Sequence, residues 1–535
     1  MNDRERTRQP RLSLRVAVAA TACLLIAWST ARAPRAAAPD AAAAALDAFL
    51  SAATPDAERQ AASVVQQRGV SFDAAYARLQ TGRAYAADVP RGIVVDAWTA
   101  PDGTVFPYTL DVPQGYTAAS RWPMRVQLHG GVGRPEAAPR GAGIGALAGD
   151  EQIYLLPTAW AGAEWWTTRQ LVALRGVMRR VAERYNIDEN RVVLSGSSDG
   201  GTGTYYMSMR DTTPYAAFLP LIGAVAVLQN TSMRVDGALY MQNMVNKPFF
   251  IVNGGRDPLY PTTLVEPYIQ QMQKGGVEVV YRPQEDGVHN TAWFPQVKDD
   301  YEAFVRTHPR QPFPTRLSWQ TDMSAGTTRA HWLVIDRLAP PRAEAAPLPD
   351  VNDQLGVTVP EFGIRANGTT VTAVSAGSNA DALHLLPGDV ITRLNQRPLP
   401  GGVDVTALLE LLDVDSALTL DVRRGAETRT LTGTYHPTPA PSRRPIFVHS
   451  APSGRVDLVR DGNTITATTR GVAAFTLLLS PAVINFAAPV TVVADGRTVF
   501  TGRVRPTLET LLTWYARDHD RTMLVGAELP ITLTP

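Results

Sequence analysis

The sequence predicts an α/β protein in which a mostly parallel sheet carries helices on both faces, followed by an all-β region. Residues 93–312 alternate short apolar runs with helical patterns, the order expected for a parallel sheet. Residues 313–345 and 446–535 contain short alternating runs separated by turns such as Asp461-Gly462, which indicate a β-sandwich. A chain of 535 residues is too long for one hydrophobic core, so several domains are expected.

The first residues have the pattern of a targeting segment. An arginine-rich stretch precedes the apolar run Val16–Trp28, and small residues follow it. This order predicts an export signal over residues 1–38, with an apolar run that is short for a bilayer span. We therefore expect an exported protein, periplasmic or extracellular, with an uncleaved membrane anchor as the alternative. The one cysteine, Cys23, falls in this segment, so no disulfide is expected in the mature chain.

The composition excludes several kinds of partner and cofactor. With 51 basic and 50 acidic side chains the net charge is +1, so the chain lacks the basic surface typical of nucleic-acid binding. It contains no H-E-x-x-H motif, no cluster of histidine and cysteine, and no convincing dinucleotide or phosphate loop. We therefore expect no metal, no other cofactor and no nucleic-acid partner.

The helices and strands before the all-β region are predicted from the spacing of apolar residues and from the length of apolar runs. Residues 39–92 are rich in alanine with apolar side chains at helical spacing, and are predicted to form a helical lead-in. In residues 93–312 the apolar runs are short and bounded by turn residues, as buried strands are. The predicted strands there are Met124–Leu128, Ile153–Leu156, Val192–Leu194, Phe249–Val252 and Val277–Tyr281, and the predicted helices are Leu171–Tyr185 and Leu264–Lys274.

The residues around Ser198 form a G-x-S-x-G pentapeptide between a β-branched strand and a helical pattern. Such a turn is strained, and it lifts the serine hydroxyl out of the sheet. Glycine at both flanks removes Cβ atoms that would clash in this turn. We predict that Ser198 is a catalytic nucleophile; the alternative is an ordinary glycine-rich turn.

A serine nucleophile needs a base and an acid, which follow it in the chain order Ser, Asp, His in this kind of sheet. Asp257 comes directly after a predicted strand, and His289 lies in the turn-rich loop after the next one. Because the carboxyl ends of parallel strands meet at one edge, both side chains are predicted to meet Ser198 there. Asp286 is a competing acid, although it lies very close in sequence to the histidine.

The developing oxyanion needs hydrogen-bond donors. The backbone N–H of Asp199, the residue after the serine, is predicted to be the first. His129-Gly130-Gly131 follows a predicted strand, and the N–H of Gly130 or Gly131 is predicted to be the second, with no basis for choosing between them. His129 is interpreted as a brace for this loop.

Aromatic residues accompany these loops. Trp165 and Trp166 follow a predicted strand, whereas Tyr260 and Trp293 come shortly after the predicted acid and base. An aromatic wall beside the serine would suit an aryl or acyl group, so the four are predicted to contact substrate. Ordinary packing of large rings is the alternative for each.

Three of these segments together resemble known enzymes. Residues 129–131, 185–192 and 196–201 are similar to secreted esterases of the α/β-hydrolase fold, in particular the polyhydroxybutyrate depolymerase, feruloyl esterase and dienelactone hydrolase-like families. The resemblance covers residues 120–310. It implies an exported serine hydrolase that cleaves small or polymeric carboxylic esters through a Ser-Asp-His triad and an acyl-enzyme, without a metal. The chain departs from the pattern at Asp199, where many relatives have a neutral residue.

A second resemblance concerns residues 350–436, which lie between two Pro-rich linkers and interrupt the predicted sandwich. Residues 371–374, 377–380 and 386–391 are similar to a PDZ domain, with the P-G-D-hydrophobic pattern in the last. The resemblance implies a groove that captures an extended peptide C-terminus by strand addition. Leu355-Gly356-Val357 or Phe362-Gly363-Ile364 would hold its carboxylate, and a spacer or a lid over the cleft is the alternative role.

Two further functions remain open from the residues alone. Peptidases of the prolyl-oligopeptidase type share the fold and the triad order, and the PDZ-like module would then deliver peptide termini. No propeller-like repeat precedes the catalytic region, which argues against a peptidase. A PDZ-based binding or scaffold protein with an inactive hydrolase core is the other alternative.

Overall fold

The computed structural model describes residues 41–133, 152–340, 354–400, 403–449 and 451–533. The export signal predicted at residues 1–38 lies outside these ranges. Among the residues that are described, no helix is both long and apolar enough to cross a bilayer.

The largest sheet has eight strands in the order β1-β2-β4-β3-β5-β6-β7-β8. Strand β2 pairs antiparallel with both of its neighbours, and all pairs from β4 to β8 are parallel. This is the α/β-hydrolase fold, which confirms the predicted fold class. The strands are Gly92–Thr99 (β1), Val105–Val112 (β2), Trp122–Leu128 (β3), Ile153–Pro157 (β4), Ile187–Ser197 (β5), Phe218–Leu221 (β6), Phe249–Ile251 (β7) and Val279–Tyr281 (β8).

Helices precede and cover this sheet. The helices that cover the sheet contribute to two cores, and the larger core contains strand residues from β2 to β7 together with the inner face of the helix over Thr168–Arg184. The helices up to the end of the sheet are Ala41–Ser51 (α1), Pro55–Gln67 (α2), Phe72–Thr81 (α3), Thr168–Arg184 (α4), Asp199–Arg210 (α5), Ala226–Gln229 (α6), Thr262–Lys274 (α7) and Phe294–Thr307 (α8).

Residues after Pro312 build three smaller sheets and one strand pair. Two of the sheets, with orders β10-β11-β22-β25 and β24-β23-β21-β20-β9, share one apolar core. The elements are Arg316–Thr321 (β9), Arg329–Ala330 (β10), Leu333–Leu338 (β11), Gln354–Glu361 (β12), Ile364–Asn367 (β13), Thr370–Val374 (β14), Asn379–Ala382 (α9), Val390–Leu394 (β15), Arg397–Pro398 (β16), Val405–Leu409 (α10), Ala417–Arg424 (β17), Glu427–Thr434 (β18), Thr438–Pro445 (β19), Gly454–Asp461 (β20), Thr464–Arg470 (β21), Val472–Leu479 (β22), Val490–Ala494 (β23), Arg497–Gly502 (β24), Leu508–Asp518 (α11) and Ala527–Thr532 (β25).

Two features of this region differ from the sequence prediction. The tail was expected to be all-β, but it contains helix α11, which packs against the lead-in helices α2 and α3 in a separate core. Residues 436–445 were predicted to be a linker after the module at residues 350–436, but Thr438–Pro445 form strand β19, which pairs with β12. The module itself has its own core and a sheet of order β13-β14-β15-β17-β18.

The α/β domain and the sandwich meet at an interface that buries titratable side chains. His331 is 1% exposed; its Nδ1–H donates to the carbonyl of Pro312, and its backbone N–H donates to Thr213 Oγ1. Burial lowers the pKa of His331 well below its ordinary value, and the neighbouring Lys247 adds to this. Lys247 is itself buried, which lowers its own pKa.

This interface predicts a pH dependence of stability. The folded-state pKa of His331 lies below its unfolded value of about 6.5, so the unfolded chain binds more protons as the pH falls. The contribution of His331 to the free energy of unfolding is therefore complete above about pH 6.5. Below that pH the free energy of unfolding falls by up to about 1.4 kcal/mol per pH unit. We expect His331→Asn to remove this part of the slope, measured by urea unfolding between pH 7.5 and 5.

His384 provides the matched control, since it also has a left-handed backbone (φ 58°, against 48° for His331) but is exposed. His384→Asn should keep the wild-type slope. Identical slopes for wild type and His331→Asn would show that His331 is not the titrating group.

Candidate active site

Ser198 occupies the sharp turn that joins β5 to α5. Its backbone has φ 56° and ψ −120°, a strained conformation for a residue with a side chain. The turn is held because the backbone N–H of Ser198 donates to the carbonyl of Leu221, the last residue of β6, at 3.0 Å. The serine therefore lies at the carboxyl edge of the sheet, where the sequence predicted it.

The three predicted triad side chains form one chain of hydrogen bonds. Ser198 Oγ donates to His289 Nε2 at 2.8 Å, and His289 Nδ1–H donates to Asp257 Oδ2, also at 2.8 Å. The imidazole is 20% exposed, whereas the carboxylate has no exposed surface. A base that accepts a hydroxyl proton on one side and is oriented by a buried carboxylate on the other can activate the serine for nucleophilic attack.

Asp257 is fixed by its own loop. Its second oxygen, Oδ1, accepts the backbone N–H groups of Leu259 and Tyr260 at 2.8 and 3.0 Å. The acid loop and the histidine loop are also joined, because Arg256 N–H donates to the carbonyl of Gly287 at 2.9 Å. A Cβ at Gly254 would lie 2.3 Å from that carbonyl oxygen, so only glycine permits this close approach of the two loops.

The competing acid does not occupy this position. Asp286 pairs with Arg256 at 2.9 Å on the surface, where its side chain is 84% exposed. Asp257, and not Asp286, therefore contacts the histidine.

The predicted glycine loop lies against the nucleophile. A Cβ built on Gly130 would be 2.9 Å from Ser198 Cβ and 3.5 Å from Ser198 Oγ, so this backbone borders the reacting atom. Gly131 follows with φ 70° and turns the chain. Asp199 is the first residue of α5, and the N–H groups of a first helical turn have no partner within the helix. The donors expected for an oxyanion thus border one small volume, and the choice between the two glycines remains open.

His129 holds this loop from behind. Its Nδ1–H donates to the carbonyl of Gly130, its Nε2 accepts the backbone N–H of Ala159, and its carbonyl accepts the indole N–H of Trp165, at 3.0, 3.0 and 2.8 Å. With both ring nitrogens used in this way, the imidazole orients the loop, and it is His289 that contacts the serine.

The carboxylate of Asp199 has a contact that the sequence did not reveal. Its Oδ2 accepts the backbone N–H of Val132 at 2.9 Å. One residue therefore contributes its main chain beside the nucleophile and clamps the glycine loop with its side chain. The sequence signal was an acidic residue directly after the serine, but the partner lies in a distant loop and could not be identified.

The aromatic residues divide into two kinds. Trp165 and Trp166 are 0% and 1% exposed, and their indole N–H groups donate to backbone carbonyls in the core. Trp293, at 6% exposed, packs in the second core of the hydrolase. All three rings are buried, so the structure favours a packing role for them over the predicted contact with substrate.

Tyr260 remains next to the site. Its ring stands edge-on to that of His289, with centroids 5.4 Å apart, and it is partly exposed. Burial and then the negative charges of Asp199 and Asp257 raise the pKa of its phenol. Tyr260 is therefore a neutral aromatic contact beside the triad.

Within the described parts of the chain, no group of three or more His, Cys, Asp and Glu side chains could hold a metal ion.

Comparison with known proteins gives little further information. No protein-family description and no curated protein matches the chain. Similar solved structures include a thermostable esterase (22% identity, TM-score 0.33, 41% of this chain and 63% of that one), a ferulic acid esterase (17%, 0.32, 40% and 97%) and the S-formylglutathione hydrolase FrmB from Staphylococcus aureus (15%, 0.32, 41% and 99%). The chain thus spans less than two thirds of the thermostable esterase.

The Asp199 clamp gives a prediction that needs no known substrate. A fluorophosphonate probe reacts with an activated serine, and its phosphoryl oxygen needs the same donors as an oxyanion. We expect Asp199→Ala to slow labelling of Ser198 about tenfold, since losing the hydrogen bond frees the glycine loop. Asp199→Asn keeps an acceptor for Val132 N–H, so it should label within about twofold of wild type.

Melting temperatures of the two variants control for a general loss of stability. Equal labelling by the alanine variant and wild type would exclude a clamping role. Equal impairment of both variants would assign the effect to charge and contradict the hydrogen-bond explanation.

Proposed function

We propose that this chain is an exported serine hydrolase that cleaves carboxylic esters, small or polymeric, through an acyl-enzyme. The strongest support is the pair of hydrogen bonds that connects Ser198 to Asp257 through His289. Ser198 Oγ lies 2.8 Å from His289 Nε2, and His289 Nδ1 lies 2.8 Å from Asp257 Oδ2. Export is inferred from the N-terminal sequence pattern alone.

In the proposed mechanism, Ser198 Oγ attacks the ester carbonyl while His289 Nε2 takes its proton. The imidazolium is stabilised by Asp257, whose fixed carboxylate keeps Nδ1 as the proton-bearing nitrogen. The oxyanion is held by the N–H of Asp199 and by one of the loop glycines; each such donor is worth about 3 kcal/mol of barrier in comparable enzymes.

The second half of the reaction uses the same groups. His289 gives its proton to the departing alcohol, which leaves an acyl group on Ser198. Water then attacks the acyl carbonyl while His289 removes its proton. His289 returns this proton to Ser198 Oγ as the acyl–oxygen bond breaks, and the carboxylic acid is released. Tyr260 offers an aromatic edge beside this centre, which favours acyl or aryl groups with apolar surface.

The test is hydrolysis of p-nitrophenyl esters of increasing acyl length, with peptide p-nitroanilides assayed in parallel. We expect turnover of esters and a loss of about 10³-fold or more in Ser198→Ala, since the nucleophile is removed. Ser197→Ala is the matched control, because Ser197 is adjacent in sequence and makes no contact in the relay; it should retain activity.

Two results would contradict the proposal. Ester turnover that survives in a folded Ser198→Ala variant would show another catalyst. Faster cleavage of anilides than of esters would favour the peptidase alternative instead.

A further inference from the structure

A cavity of about 740 Å³ lies at the amino edge of the large sheet, away from the triad. Its lining includes Met124 near the start of β3 and Ile187 at the start of β5, whereas Ser198 follows the other end of β5. Helix α4 forms one side of the cavity, and the end of α11 with the loop after it forms another. This volume is within the range of small-molecule sites, so the cavity is large enough to hold a ligand.

One wall of the cavity is apolar. Trp98 of β1 is partly buried, and its ring lies against Gly176 of α4, where a Cβ would be 2.2 Å from the ring. Val172, also on α4, is 47% exposed, and Met178 of the same helix lines the cavity as well. Covering this wall would remove apolar surface from water, which favours a ligand with an apolar body.

The cavity also contains charged groups, and its carboxylates already have partners. Among the residues that the structure describes, each acidic side chain that lines the cavity forms an ion pair with an arginine: Asp518 with Arg329, Asp520 with Arg310, Glu189 with Arg521, and Glu183 with Arg179. A cationic ligand would therefore have to displace an arginine from one of these pairs.

Arg517 differs from the other arginines of the lining. The others all form ion pairs: Arg175 with Asp211, Arg179 with Glu58, Arg180 with Glu183, and Arg310 with Asp520. Within the described parts of the chain, Arg517 has a different kind of contact, since its guanidinium carbon lies 4.8 Å from the centre of the Trp514 ring. A cation–π contact of this kind leaves the N–H donors of the guanidinium available to an anion.

Arg175 offers a second donor beside Arg517. Its Nε and Nη2 both donate to the carboxylate of Asp211, at 2.5 and 2.6 Å, which leaves Nη1 for another acceptor. Burial, and then the positive charge of Arg329, lower the pKa of Arg517; Asp518 opposes this, and Arg175 adds to it. Like charges are thus close together here, and a bound anion would reduce their repulsion. Guanidinium groups are suited to a carboxylate because their planar N–H donors match its two oxygens.

We propose that this cavity is a second ligand site, which takes a carboxylate with an apolar body. Arg517 and Arg175 bind the carboxylate, and the wall around Trp98 contacts the apolar body. The inference does not depend on the proposed esterase activity, because the cavity and Ser198 lie at opposite edges of the sheet.

Calorimetric titration of the full chain with octanoate tests the site. Octan-1-ol and octylammonium are the matched probes, because they have the same alkyl chain without the negative charge. We expect saturable binding of octanoate, at least about tenfold tighter than that of either probe. Equally tight binding of all three compounds, or no saturable binding of octanoate up to about 10 mM, would overturn the proposal.

A substitution at Arg517 tests how the carboxylate is recognised. We expect Arg517→Gln to bind octanoate at least about tenfold more weakly than wild type, because a charge-assisted hydrogen bond is lost. Arg505→Gln is the matched control: it changes the net charge equally, but Arg505 is exposed and does not line the cavity. It should bind octanoate as wild type does, and melting temperatures check that both variants are folded. Equal affinity of Arg517→Gln and wild type, or equal weakening in both variants, would contradict the proposal.

Tyr260→Ala separates this site from the triad, since the ring of Tyr260 lies beside that of His289. We expect octanoate binding to be unchanged in this variant. Binding that is weakened by Tyr260→Ala and not by Arg517→Gln would place octanoate at the triad and contradict the proposal. A chain that hydrolyses no ester should still bind octanoate, so failure of the proposed function would be distinguishable from failure of this inference.

Discussion

The arrangement of the site depends on the strained backbone of Ser198 at the end of β5. A residue with a side chain at φ 56° stores strain that surrounding contacts must balance. Here the hydrogen bond from Ser198 N–H to Leu221 joins the turn to the neighbouring strand, and the glycine loop at Gly130 borders the serine on the other side. The hydroxyl oxygen is thereby placed 2.8 Å from His289 Nε2.

Much of the catalytic region could be predicted because its signals are local. Strand β3 was expected at Met124–Leu128 and spans Trp122–Leu128, and helix α7 was expected at Leu264–Lys274 and spans Thr262–Lys274. Asp257 and His289 were placed correctly after β7 and β8, since a parallel sheet gathers the loops at its carboxyl edge. The assignment of catalytic roles to these residues remains a prediction that rests on their geometry.

What the sequence could not reveal depends on distant partners. Trp165 was predicted to contact substrate because it follows a strand in the sequence. The exposure of its side chain depends on residues distant in the chain that pack against it, and the structure shows that it is fully buried. The carboxylate of Asp199 has a backbone partner at Val132, 67 residues away in the chain. Strand β19 was read as a linker because proline usually argues against a strand, and only its pairing with β12 shows that the prolines fall on one edge.

In the proposed reaction Ser198 is the nucleophile, and the backbone N–H groups of Asp199 and the glycine loop hold the oxyanion. The most direct measurement is the crystal structure of the covalent adduct formed with an aryl phosphonate. We expect phosphorus bonded to Ser198 Oγ, with the phosphonyl oxygen about 3 Å from the N–H of Asp199 and from that of Gly130 or Gly131. An adduct on another residue would show that Ser198 is not the nucleophile, and a phosphonyl oxygen directed away from these N–H groups would show that they do not form the oxyanion hole.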